Sequence, residues 1–141
     1  MKVFFDTNVY VAEALLGEAA EVMLAATERA SWRMFASAYL LDEVERVMTE
    51  KLGYSRRLAL LTRSRIIRRT SLVDPGASRH AVPQDPKDSP ILRAALAAGA
   101  DYLVSNDPHL LALHPYEGLR IVSMTDYCQL LINEGLLQSP T

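Results

Sequence analysis

Short apolar runs that break off in polar residues alternate along this chain with longer stretches in which apolar residues recur every three or four positions. Val3-Phe4-Phe5, β-branched and aromatic, stops at Asp6-Thr7-Asn8 and reads as a strand buried on both faces, central rather than at an edge. Residues 9–16 predict a short helix loosened at Gly17. Residues 18–30, rich in Ala, Met and Leu, predict a second. A brief strand follows at Arg33-Met34-Phe35-Ala36, and Ser37 then reads as the N-cap of a third helix. On that helix Leu40, Leu41, Val44, Val47, Met48 and Leu52 form one apolar stripe, ended by Gly53.

Residues 55–70 predict an arginine-studded helix whose faces are not cleanly separated, and residues 70–74 a short strand. Pro and Gly residues between Pro75 and Pro90 mark a loop. Residues 91–98 predict a helix closed by Gly99, and Tyr102-Leu103-Val104-Ser105 a further buried strand that ends at Asn106-Asp107-Pro108. A helical turn at 109–114, a strand at 120–123, a helix at 125–133 and a loose tail at 135–141 complete the pattern. Strands alternating with helices require crossover connections, which are right-handed. The expected fold is therefore three-layer α/β/α, a central, mostly parallel sheet covered on both faces, in one domain over residues 1–134.

Composition changes this picture little. The chain has 141 residues, half of them hydrophobic, enough to bury a sizeable core. No apolar run approaches the ~20 residues of a membrane span, and the start lacks the layout of a signal peptide. The single cysteine, Cys128, excludes an internal disulfide, so a cytoplasmic location is expected. Cys128 itself reads as a core thiol, and Trp32 as a residue that packs locally. The net charge of −2 says nothing of nucleic acid, but its distribution does. Between Lys51 and Val73 lie seven basic residues and no acid: Lys51, Arg56, Arg57, Arg63, Arg65, Arg68 and Arg69.

The acids carry the chemistry. Asp107 follows its strand as Asp6 follows the first, and carboxylates at the ends of parallel neighbouring strands converge on one sheet edge, where ligands of open α/β sheets collect. Asp85 and Asp88 precede the helix that begins at that edge. Glu43 lies on the shoulder of the third helix's apolar stripe. Each also has a plainer reading: Asp6 and Asp88 as N-caps, Asp85-Pro86 as a turn, Glu43 as a solvated acid. Together they would repel, and such crowding is tolerated when a cation neutralises it. Oxygen ligands without Cys or His pairs select Mg²⁺ or Mn²⁺.

At this point the chain resembles the PIN-domain family, metal-dependent ribonucleases that include the toxins of toxin–antitoxin pairs. The resemblance is carried by Val3-Phe4-Phe5-Asp6-Thr7-Asn8-Val9, by Ser37 through Leu41 leading to Glu43-Val44, by Asp85-Pro86-Lys87-Asp88-Ser89-Pro90-Ile91-Leu92, and by Ala100 through Asp107 with Leu110-Leu111 after it. It implies that Asp6, Glu43, Asp88 and Asp107 are the metal-binding and catalytic acids, with Asp85 auxiliary, and that the metal is Mg²⁺ or Mn²⁺. It also implies an RNA substrate cut to 5′-phosphate and 3′-hydroxyl ends, a homodimer, and a small antitoxin protein as partner. Many relatives carry a further acid where this chain has His109.

Beside that resemblance, Asn8 and Ser105 are expected to steady the carboxylates or their waters, and Arg56, Arg57, Arg63, Arg65, Arg68 and Arg69 to contact phosphate or the antitoxin. The three histidines, His80, His109 and His114, share no metal-ligand spacing, and His109 reads as a surface residue. A haloacid-dehalogenase-type phosphotransferase also places an acid after its first strand. It needs a second two residues on, where this chain has Asn8. A receiver-like or PIN-like binding module would have no use for crowded carboxylates.

Overall fold

A computed structural model of the chain describes residues 1–76 and 89–139. Val3, Phe4 and Phe5 of β1 (Lys2–Phe5) are wholly buried, and they lie at the centre of the sheet because four other strands flank them. These are β2 (Arg33–Ser37), β3 (Ser71–Val73), β4 (Tyr102–Val104) and β5 (Arg120–Val122), in the order β3-β2-β1-β4-β5 with every pairing parallel. Parallel neighbours need helical crossovers, and the chain supplies α1 (Thr7–Ala14) and α2 (Glu18–Arg29) between β1 and β2. Between β2 and β3 run α3 (Ala38–Arg46), its π-helical continuation Val47–Lys51, and α4 (Arg56–Arg69). The remaining helices are α5 (Ser89–Ala97) before β4, the short α6 (Pro108–Leu111) before β5, and α7 (Met124–Asn133).

This is the expected three-layer α/β/α architecture with a parallel sheet. The first two crossovers step to one side of β1, and the β3-to-β4 crossover returns past it to the other. Right-handedness then places α5 on the opposite face from α1 and α2, where it packs against β2 and β4. Strand order therefore reverses at β1, between its carboxyl end and that of β4. Local signals account for most boundaries. Ser37 Oγ accepts the Leu40 N–H at the start of α3, and Ser55 Oγ accepts the Leu58 N–H at the start of α4. Gly53, at φ +68°, closes the π-helical turn, and Gly99, at φ +65°, follows α5 as anticipated. Trp32 stacks on Tyr102 at 6.3 Å, and Cys128 is half-buried against the core.

Two details differ from the expectation. The tail is not loose throughout: the Leu136 N–H donates to Leu131 O, and Leu136 and Leu137 pack on the core, because α7 leaves an apolar margin for them to cover. The arginine helix is also less free than its composition suggests. Arg69 forks onto Glu13 at 2.9 and 2.6 Å, with the two side chains only 9% and 5% exposed.

Candidate active site

Asp6 occupies the end of the central strand and caps α1, accepting the Thr7 N–H on Oδ1 at 2.7 Å. Its own N–H donates to Val104 O of β4, which ties the end of β1 to that neighbouring strand. Ser105, the next residue, is buried. Its hydroxyl donates to Asp6 Oδ2 at 2.7 Å and accepts the Asp107 N–H at 3.0 Å. One hydroxyl thus joins the two strand-end acids across the point where strand order reverses, the position at which open α/β sheets bind ligands. Asp107 caps α6, with Pro108 in the first turn and the His109 N–H donating to its Oδ1 at 2.8 Å. His109 Nδ1 lies 3.5 Å from the same oxygen.

Glu43 stands half-buried on α3, as its place on the shoulder of the stripe predicts. Its charge reaches Asp6: burial first, then the fields of Glu43 and Asp107, push the Asp6 carboxyl up to about 6, against the pull of the hydrogen bonds from Ser105 and Thr7. Asp6 thus caps α1 and also feels the charges of Glu43 and Asp107. Asp85 and Asp88 lie outside the described residues; Ser89, directly after Asp88, is buried at the start of α5. Asn8 is exposed on α1 and makes no side-chain hydrogen bond to either acid among the described residues. Among the described residues, no three His, Cys, Asp or Glu side chains form a group able to hold a metal ion.

Of the arginines, Arg63 pairs with Asp42 at 2.7 Å and lies 3.5 Å from Glu45, on the two sides of Glu43 in the chain. Arg65 reaches Glu13 at 3.4 Å but stays half exposed. Arg56, Arg57 and Arg68 are exposed. Sequence reading did not single out Glu13. Its only signal is an acid inside an otherwise apolar helix, Val9-Tyr10-Val11-Ala12-Glu13-Ala14, and its partner Arg69 lies 56 residues away.

The Ser105 bridge has a measurable consequence. Ser105→Ala leaves the buried Asp6 Oδ2 and the Asp107 N–H without this partner, and is expected to cost about 1–3 kcal/mol of stability. Because the lost bond favoured the charged form, Asp6 should also titrate at higher pH. Urea melts and carboxyl ¹³C titration of Asp6 test both; an unmoved titration would mean the hydroxyl does not control the acid.

A family profile described as PIN domain matches residues 2–109, from the first residue of β1 into α6. The match spans both strand-end acids, Glu43 and the hydroxyl between them. The chain belongs to the PIN-domain family, and its fold is of the nuclease type. Comparisons with curated proteins and with solved structures returned no match. Among the described residues, no helix is long and apolar enough to cross a membrane.

Proposed function

We propose that the protein is a divalent-metal-dependent endoribonuclease, the toxin of a toxin–antitoxin pair. The observation that carries the hydrolase reading is the linked pair Asp6–Ser105–Asp107 at the reversal of strand order, with Glu43 close enough to act on Asp6. A carboxyl pushed up to about 6 is a poor isolated anion, and a hard cation beside it would hold it ionised at neutral pH. The donor set is all oxygen, which fits Mg²⁺ or Mn²⁺. Asp6, Asp107 and Asp88 would bind the ion, Asp85 would assist, and Glu43 would ligate it or orient the attacking water. Bound there, the ion supplies a more acidic water and charge stabilisation at the phosphoryl oxygens.

The chain's own groups do the rest. Ser105 fixes the face that Asp6 presents, and the capped start of α6 fixes Asp107. Arg56, Arg57 and Arg68, exposed on α4, would meet phosphate along the RNA. The toxin role, the homodimer, the small antitoxin and the cytoplasmic location follow from the family resemblance and from the lone cysteine.

Purified protein with single-stranded RNA and Mn²⁺ is expected to cut internally, to stop in chelator, and to lose activity with Asp6→Ala. Cleavage that persists in chelator or in that variant would overturn the metal-hydrolase reading. Growth that is unimpaired on expression of an active enzyme would overturn the toxin reading alone.

A further inference from the structure

Beside the acidic edge lies a cleft of about 430 Å³, within the range of small-ligand sites, whose walls include Ser37, Tyr39, Leu72, Asp74, Pro75 and Pro90. Strand register fixes its position. Pairing of Phe4 with Phe35, carried two residues on, sets Asp6 level with Ser37, and Ser37 pairs with Val73. The cleft therefore opens one strand away from Asp6 along the same edge, at about the 4.8 Å strand spacing. Two other links point the same way. Tyr39 and Glu43 are four residues apart on α3 and so share one helix face. Pro90 stands two residues after Asp88, at the start of α5.

The lining has a definite chemistry. Tyr39 is 37% exposed and Leu72 55%; with two prolines they make flat apolar walls of the kind on which nucleobases stack. Among the described lining residues the exposed polar side chain is Asp74, beside the buried Ser37, whose hydroxyl accepts the Leu40 N–H. Asp74 Oδ1 accepts the Gly76 N–H at 3.0 Å, an arrangement that orients the carboxylate and leaves it further acceptor capacity. No lysine or arginine is among the described residues that line the cleft. An acceptor-only group at a stacking site selects bases by their N–H edge. Guanine presents N1–H and N2–H₂ side by side, two donors for two carboxylate oxygens, whereas adenine and cytosine offer a single amino group and uracil a single imide N–H.

We propose that this cleft binds a guanine base of the RNA, stacked on Tyr39 and hydrogen-bonded to Asp74, and so sets where the strand is cut. The proposal rests on the ribonuclease reading for its ligand but is testable without cleavage. Guanosine, adenosine, cytidine and uridine, which lack phosphate, are titrated separately into the full chain in chelator, with amide resonances as the readout.

Guanosine should shift residues 38–39 and 72–76 and bind at least about fivefold more tightly than the others, a modest return for two hydrogen bonds. Asp74→Asn should erase that preference while leaving weak binding of all four. Tyr39→Ala should weaken binding about tenfold, the usual range for one stacked base, and Tyr39→Phe should restore it. Both side chains are at the surface, and thermal melts confirm that the variants fold. In parallel, wild type and Asp74→Asn are compared on RNAs carrying one guanine at successive positions. Guanosine binding by a protein that cuts no RNA would keep the cleft and remove the nuclease. Cleavage indifferent to guanine, with nucleosides that shift nothing at these residues, would keep the nuclease and remove the cleft. Binding of arginine amide in place of guanosine would overturn the proposal in favour of a peptide site.

Discussion

Asp6→Asn is expected to make the metal-free protein more stable at neutral pH by about 2–3 kcal/mol while removing the proposed hydrolytic activity. The carboxyl is raised from 3.8 to about 6, chiefly by burial and further by Glu43 and Asp107. Every tenfold gain in proton affinity corresponds to about 1.4 kcal/mol. The folded state holds this proton more tightly than the unfolded chain does. Stability from this group is therefore full below pH 3.8, declines as pH rises toward 6, and is lost above that. Asparagine caps a helix as well as aspartate does and can still bond to Ser105, but it carries no charge to desolvate. Wild type and variant should thus coincide near pH 4 and separate by pH 7. Mn²⁺ should stabilise the wild type more than the variant. Urea melts across that range decide the matter, and a difference that does not change with pH would show that burial of this charge is not its cause.

Arg69→Ala should destabilise the fold strongly, by up to about 3–5 kcal/mol, because it leaves the buried Glu13 with only the half-exposed Arg65 at 3.4 Å. Arg69 also lies over the Tyr10 ring at 5.7 Å, and its Nε stands 3.7 Å from Glu28, too far for a hydrogen bond. The pair lashes the end of α1 to the end of α4, so the change should loosen both. Replacing the two together, Arg69→Met with Glu13→Leu, should recover most of the loss, since apolar residues of similar volume need no desolvated charge. Denaturant titration of the two single variants and the double variant gives the coupling directly. Additive losses would mean that the two groups do not depend on each other.

How far the sequence foretold all this depends on the range of each interaction. Val3 to Phe5 could be placed as a doubly buried central strand because continuous apolar character is a local property, and all three are wholly buried. Ser37 as a cap and Gly99 as a terminator were legible for the same reason. Convergence of Asp6 and Asp107 needed one further condition, that their strands be neighbours, and the direct pairing of β1 with β4 meets it. The bridging role of Ser105 was legible only as a general support of the carboxylates, since the partner of a hydroxyl is set by tertiary placement. Glu13 and Arg69 could not be matched at all. Nothing in either helix specifies which of many arginines a buried glutamate will meet. The arginine run consequently read as one exposed surface, though its last member faces inward.

The Ser105–Asp6 hydrogen bond spans 99 positions of sequence. During synthesis Asp6 leaves the ribosome long before Ser105 and Asp107 exist, and α1 to α4 can assemble on β1 to β3 while the space for β4 stands open. Closing so long a loop is slow compared with forming local helices, so its closure is expected late in folding. A nascent or prematurely terminated chain would accordingly carry one half of the acidic edge without the other. The acidic edge would be complete only once β4 docks, so translation itself would time its completion.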